Sequence, residues 1–165
     1  MASDLLPVTT ELIATLSARA AGLPRLRSNH NLHPTLEDPI QRLLNAFEPG
    51  TYVRPHRHVE PERWELFLCL HGRAAVLTFD DSGSVQERLE LDATGPTFAV
   101  EIAGGVWHTI ASLAHGTVMF ELKPGPYAPL SDKCFATWAP AEGAAGTADL
   151  VRWFERAAAG NARPG

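Results

Sequence analysis

The chain has 165 residues, 45% of them hydrophobic, and its formal net charge is -5. This length suits a single domain with a sizeable core, and the acidic balance without a long basic run argues against a nucleic-acid partner. No stretch approaches the roughly 20 apolar residues that span a bilayer, and no signal-peptide pattern opens the sequence. We therefore expect a soluble cytoplasmic protein that does not bind membranes.

An amphipathic helix is predicted within residues 4–21. Its apolar positions at helical spacing are Leu12, Ile13 and Leu16. Thr9 or Thr10 can cap its N-terminus, and Gly22 ends the pattern. We expect residues 1–24 to form this helix and a linker, packed on the outside of a sheet.

Residues 25–39 are polar and rich in turn formers, and they include His30 and His33. Neither histidine lies on a predicted strand. Their roles stay open between solvated loop residues, metal ligands and substrate contacts. A strand follows over residues 40–47, and the chain then turns at Gly50.

Two histidines and a glutamate then occur at spacings that suit one metal ion. His56 and His58 are two residues apart, so both side chains lie on one face of an extended strand. Glu65 begins a second predicted strand, over residues 65–71, and can reach the same ion if the two strands lie side by side. Imidazole and carboxylate ligands suit first-row divalent metals.

The second half of the chain also alternates between short strands and turns. Further strands are predicted over residues 73–79, 84–91, 98–102, 108–113 and 117–123. Gly104 and Gly105 permit a tight turn just before His108, which becomes a fourth candidate ligand. Many short strands separated by Gly and Pro turns indicate an all-β sandwich or barrel.

The C-terminal part is predicted to be less regular. Residues 124–146 form a long loop whose aromatic residues are Tyr127, Phe135 and Trp138, and this loop either covers a core edge or forms a lid over the barrel mouth. Thr147 is expected to cap a C-terminal helix that ends at Gly160. Residues 161–165 are expected to be disordered.

The two cysteines of the chain show no metal-binding or redox spacing. Cys69 lies on a predicted core strand, and Cys134 lies in the late loop. We expect two free, buried thiols.

These motifs resemble those of the cupin superfamily. The pattern Gly50-x5-His56-x-His58-x6-Glu65-x6-Gly72 resembles the first cupin motif, and Gly105-x2-His108 resembles the core of the second. The loop before Glu65 is longer than the usual three or four residues. Glu62 fits the shorter spacing, but Glu65 keeps the distance to Gly72 and begins a strand, so Glu65 is preferred.

A finer resemblance, to the WbuC family of cupin metalloproteins, covers most of the chain. The matching stretches are residues 38–58, 63–81, 106–109, 120–127 and 132–143. The resemblance implies a double-stranded β-helix, or jelly-roll barrel, over residues 25–146, with the N-terminal helix and a C-terminal helix (residues 147–165 with the tail) on its outside. It also implies a ligand from surface-polysaccharide metabolism, such as an activated or phosphorylated sugar.

We expect one divalent transition metal (Fe, Mn, Ni, Cu or Zn) at the four candidate ligands, with a small molecule beside it. The predicted substrate contacts are Tyr52 and Arg54, which share the parity of the histidines, and Glu121 and Lys123, which share a face of a later strand. A basic residue there would favour an anionic, sugar-like ligand. Three functions stay open: a metal-dependent isomerase or epimerase, an Fe(II) dioxygenase or other oxidoreductase, and a non-catalytic small-molecule-binding cupin.

A homodimer is also expected. The alternation in the strand over residues 65–71 places Leu66, Leu68 and Leu70 on its outward face. Such a row needs cover from the N-terminal helix or from a second subunit.

Overall fold

The computed structural model describes residues 4–127 and 134–164, which form two antiparallel five-stranded sheets and two helices. The helices are α1 (Thr10–Ala21) and α2 (Thr147–Phe154). The strands are β1 (Arg27–Asn31), β2 (Ile40–Phe47), β3 (His56–Arg57), β4 (Glu65–His71), β5 (Arg73–Phe79), β6 (Val85–Asp92), β7 (Ala99–Ile102), β8 (Trp107–Ser112), β9 (Thr117–Pro124) and β10 (Cys134–Phe135).

The two sheets enclose the core of a jelly-roll barrel. One sheet has the strand order β1-β2-β9-β4-β7, and the other has the order β10-β3-β8-β5-β6. Phe67 and Met119 from the first sheet pack with Val76 and Ile110 from the second. The predicted cupin fold, with both helices outside the barrel, is therefore confirmed.

Helix α1 covers the outer face of the first sheet. Its buried Leu16 and Ala20 pack against Leu44 and Val118. The Thr9 hydroxyl accepts a hydrogen bond from the backbone N of Leu12 at 3.2 Å, so Thr9 is the N-cap. The predicted start of this helix is confirmed.

Helix α2 packs against the second sheet, but its ends differ from the prediction. Its N-cap is Gly146, with a positive φ of 86°, because the Thr147 hydroxyl donates to the backbone O of Ala144 instead. The helix ends at Phe154, before Gly160. Beyond the helix, the backbone O of Asn161 accepts a hydrogen bond from the backbone N of Val85, and the backbone N of Gly160 donates to the O of Val85.

Two strands were not predicted. β1 pairs along its whole length with β2, although the sequence of residues 27–31 is entirely polar. β10 pairs with β3 inside the predicted irregular loop. Both are edge strands, whose polar or very short sequences carry little hydrophobic alternation.

The cysteines form no disulfide, and only one of them is buried. Cys69 is buried, and its thiol donates to the backbone O of Gly72 at 3.3 Å. Cys134 is exposed on β10, so its predicted burial is wrong. Among the residues that the structure describes, no helix has the length and apolar character needed to cross a membrane.

Candidate metal centre

The four candidate ligands meet between the two sheets. Nitrogen and oxygen atoms of His56, His58, Glu65 and His108 all lie within 4.8 Å of one another, and all four residues are buried. His56 on β3 stands directly opposite His108 on β8, and Glu65 comes from β4 in the other sheet. The site therefore forms only when the barrel closes.

Backbone carbonyls orient two of the imidazoles. Nδ1 of His56 lies 2.9 Å from the O of Arg54, and Nδ1 of His108 lies 2.9 Å from the O of Val106. Each Nδ1–H therefore donates to the backbone, which leaves Nε2 as the nitrogen that carries the ligand lone pair.

A glycine turn fixes the chain just before His108. Gly105 has a positive φ of 76° and donates its backbone N–H to the O of His58 at 3.0 Å. At Gly104, an added Cβ would lie 3.0 Å from the Cβ of Glu62. The turn thus packs closely on the loop between the first two ligands and β4.

Glu65 bridges two imidazoles. Its Oε2 lies 3.0 Å from Nε2 of His108, and its Oε1 lies 2.9 Å from Nε2 of His58. Burial alone would raise the pKa of Glu65, but hydrogen bonds from His108 and His58 and the charge of Lys123 hold it well below its usual range. Glu65 is therefore ionised.

The geometry at His108 calls for a positive charge. Because Nδ1 already donates to Val106, a neutral His108 would turn a lone pair towards an ionised carboxylate. Either a proton on Nε2 or a cation between the two groups removes this repulsion. Three imidazoles and one carboxylate are a donor set that first-row divalent metals accept, so the residues fit such an ion.

Three further polar residues continue from Glu65 along the inner face of the first sheet. Nζ of Lys123 lies 3.4 Å from Oε1 of Glu65 and 3.3 Å from Oε1 of Glu121. Asn45 donates to Oε2 of Glu121 at 2.6 Å. Lys123 is only 5% exposed and Glu121 only 9%. Unpaired charges would be costly in this buried position, and the opposite charges of these two residues offset each other beside the cluster.

A cavity of about 620 Å³ opens from the cluster. His56, Glu65 and His108 lie in its wall, together with Lys123 and Glu121. Its other polar and apolar lining includes Asn29, Asn31, Gln41, Asn45, Phe47 and Phe67. This volume lies in the range of small-molecule sites in proteins.

Arg54 lines the cavity, but its guanidinium is engaged in hydrogen bonds within the protein. Its Nε donates to the O of Ala139 at 3.0 Å, and its Nη2 donates to the O of Ala136 at 3.2 Å. The guanidinium also lies 5.0 Å from the centre of the Phe135 ring. Arg54 thus anchors residues 134–142, a segment that we call the strap.

Tyr52 does not reach the site. Its ring stacks on Phe154 of α2, and its hydroxyl donates to the O of Pro140 at 2.9 Å. Burial raises the pKa of this hydroxyl to about 12. The shared parity with the histidines fails because residues 51–55 are not a strand and β3 begins only at His56.

The described part of the late loop forms a wall of the cavity and also covers a core edge. The Trp138 ring contacts Phe79 at 5.3 Å between centroids, whereas Phe135 and Tyr127 line the cavity. The remainder of that loop, residues 128–133, lies outside the described residues.

The two histidines whose roles the sequence leaves open, His30 and His33, lie in different surroundings in the structure. His33 is buried and lines the cavity, with its Nδ1 3.0 Å from the backbone N of Arg42. His30 is exposed on β1. Neither belongs to the four-residue cluster.

The sequence analysis did not identify three charged residues of the cavity wall: Arg25, Arg27 and Glu142. Glu142 follows Arg25 by 117 positions and Arg27 by 115, so no local spacing connects them. Only the fold brings them together.

The family described as Domain of unknown function (DUF6016) matches residues 8–91, just over half of the chain. This range includes His56, His58 and Glu65 but ends before His108. No curated protein matches the sequence.

The chain is also similar to solved structures at low sequence identity. An oxalate oxidase in complex with the substrate analogue glycolate has a TM-score of 0.52 and 13% identity, over 70% of this chain and 57% of the oxidase chain. A cupin superfamily protein from Desulfitobacterium hafniense has a TM-score of 0.47 and 19% identity, over 59% of this chain and 76% of that one. KdgF from Halomonas sp. has a TM-score of 0.49 and 16% identity, over 65% and 85%.

Proposed function

The chain belongs to the family described as Domain of unknown function (DUF6016), and we propose that it is a metal-binding cupin of the WbuC type that holds an anionic, sugar-like small molecule beside the metal. The observation that carries the metal proposal is the approach of His108 Nε2 to Glu65 Oε2 at 3.0 Å, with His108 Nδ1 already engaged. A divalent cation satisfies both groups at once.

The protein supplies the position of the metal and the ligand wall. His56, His58, Glu65 and His108 would hold the ion at the inner end of the cavity. A bound divalent metal would act as a Lewis acid on an oxygen of the small molecule. The buried surroundings exclude water from one side of the cluster, while the cavity admits a ligand from the other.

The lining favours a ligand with several hydroxyl groups. Lys123 donates hydrogen bonds, Glu121 accepts them, and the amide of Asn45 does both. Hydroxyl groups are also donors and acceptors, so a polyol can match such a wall. A divalent ion with the single carboxylate of Glu65 leaves one net positive charge, and the charges of Lys123 and Glu121 offset each other. This balance favours a ligand with an anionic group.

Metal analysis followed by a ligand screen tests the proposal. Protein purified without chelating resin should contain about one divalent ion per chain, and the His56→Ala/His108→Ala double variant should lose it. Metal retained in full by the double variant would contradict the proposal.

The ligand screen then separates the three functions. Acidic sugars and sugar phosphates should bind the metal-loaded protein more tightly than neutral sugars. Turnover of one of them would identify an isomerase or epimerase, oxygen consumption with Fe(II) would identify a dioxygenase, and binding without turnover would identify a binding protein. Equal affinity for neutral and acidic sugars would contradict the anionic ligand.

A further inference from the structure

Two arginines and a glutamate from distant parts of the chain meet at the wall of the cavity. Arg25 makes a bidentate contact with Glu142, with Nε 2.8 Å from Oε1 and Nη2 2.7 Å from Oε2. Arg27 reaches the same Oε2 atom through its Nη2 at 2.9 Å. Two guanidinium groups therefore converge on one carboxylate.

The two arginines are held differently. Arg27 is fixed from behind, because its Nη1 donates to the backbone O of Tyr52 at 2.7 Å and its side chain is only 17% exposed. Burial, and then the neighbouring charge of Arg25, lower the pKa of Arg27, whereas the Glu142 carboxylate raises it. The side chain of Arg25 is 62% exposed and that of Glu142 is 37% exposed. With one carboxylate for two guanidinium groups, the trio carries one net positive charge.

We propose that Arg25 and Arg27 form a phosphate subsite in the cavity wall, which the Glu142 carboxylate occupies when no phosphate is bound. This inference rests on the proposed function. The subsite would hold the anionic group of the small molecule, and another part of the same molecule would lie beside the metal. A phosphate group carries about 1.5 to 2 negative charges and three acceptor oxygens, so it suits two guanidinium forks better than a carboxylate does.

Exchange of Glu142 for phosphate replaces one anion between the two guanidinium groups by another, so neither arginine is left without an anionic partner. Solvent-exposed ion pairs contribute little to stability, and the Arg25–Glu142 pair is largely exposed. Glu142 is the last residue of the strap, which Arg54 anchors further upstream at Ala136 and Ala139. The carboxylate can therefore move away while those upstream anchors keep the wall of the cavity in place.

The other basic groups of the cavity wall are less suited to this role. Arg54 donates to two backbone carbonyls, which no phosphate can displace without releasing the strap. Lys123 contacts two buried carboxylates, Glu65 and Glu121. Arg25 and Arg27 differ from Arg54 and Lys123 because their shared partner is a single carboxylate at the protein surface, that of Glu142.

Calorimetric titration with inorganic phosphate tests the subsite. The protein is used both as purified and after chelation, since a metal ion also binds phosphate. Glu142→Gln should tighten phosphate binding about tenfold, because it removes the competing charge and keeps the side-chain size. Adding Arg25→Gln to this variant should reverse the gain. Arg19→Gln, which makes the same charge change on the exposed end of α1, is the matched control and should have no effect.

Several outcomes would overturn the inference. They are unchanged phosphate affinity in Glu142→Gln, an equal loss in Arg19→Gln, and acetate binding as tight as phosphate binding. The exposed Arg25 is tested rather than Arg27, because Arg27 also supports the backbone at Tyr52 and its loss could unfold the protein.

The failure of this inference is distinguishable from failure of the proposed metal site. Phosphate binding that appears only with metal present and ignores Arg25→Gln would overturn the subsite and leave the metal proposal intact. Phosphate binding that persists in the His56→Ala/His108→Ala variant and depends on Arg25 would support the subsite even if no metal binds.

Discussion

The Nε2 atom of His108 lies 3.0 Å from Oε2 of Glu65, while its Nδ1 lies 2.9 Å from the backbone O of Val106. A proton and a metal ion therefore compete for the same position on Nε2. Because the pKa of Glu65 is held well below its usual range, Glu65 stays ionised.

We predict that divalent metal affinity falls as the pH is lowered from about 8 to about 5, with protons released on binding. Zinc titrations by calorimetry in buffers of different ionisation enthalpy measure the released protons. Affinity that is independent of pH, with no proton release, would contradict the competition.

Glu65→Gln is expected to weaken metal binding by at least about 100-fold, since an amide oxygen replaces the only carboxylate of the cluster. The matched control is Glu62→Gln, which changes the other glutamate that the motif spacing allows. Glu62 is exposed and lies outside the cluster, so its variant should bind metal as the unmodified chain does. Equal losses in the two variants would be inconsistent with the ligand set.

Chelation is expected to leave the fold intact. The barrel has its own hydrophobic core between the sheets, and α1 and α2 each pack on a further apolar cluster. Unfolding followed by circular dichroism should stay cooperative, with the free energy of unfolding reduced only by the binding term, about 2.7 kcal/mol at 100 times Kd. Outright unfolding on chelation would show that the site is structural.

The sequence predicted best where hydrophobic alternation is regular. β4 alternates between buried and less buried residues from Glu65 to Leu70, and its bounds agree with the prediction. β2 also agrees, because its apolar residues extend from Ile40 to Phe47. Local spacing also marked three of the four members of the metal cluster. His56 and His58 are two residues apart, and a glycine turn precedes His108.

The prediction failed where contacts between distant residues decide the structure. Asn29 and Asn31 lie on a polar edge strand that faces the cavity, so no apolar pattern marks it. Parity predicts Tyr52 as a substrate contact, but its ring stacks on Phe154 of α2 instead. The Arg25–Glu142 contact depends on the strap folding back across the barrel, which no local sequence signal shows.

Lys123→Met is expected to destabilise the metal-free protein by about 3–5 kcal/mol, because it leaves the buried carboxylates of Glu65 and Glu121 without their shared cation. Adding Glu121→Gln should recover part of this loss, since it removes one of those charges. Bound metal should stabilise Lys123→Met more than the unmodified chain, because the ion supplies positive charge at Glu65. Urea unfolding with and without metal measures all three effects, and additive losses in the double variant would contradict the coupling.

A homodimer remains a prediction, and the structure suggests where its contact would lie. On the first sheet, Leu66 stands opposite Leu122 and Leu68 opposite Phe120. Leu70 and Phe120 pack against the α1 cluster, whereas Leu66, Leu68 and Leu122 lie outside that cluster and are only partly buried. A second subunit would complete the burial of this apolar surface.

Light scattering at high micromolar concentration should give twice the mass of the chain, and Leu68→Lys should reduce it to that of a monomer. Leu89→Lys is the matched control, because it places the same charge at a partly exposed leucine on β6, in the other sheet. The control should remain dimeric. A monomer in the unmodified protein, or dissociation by Leu89→Lys alone, would show that this surface is not the interface.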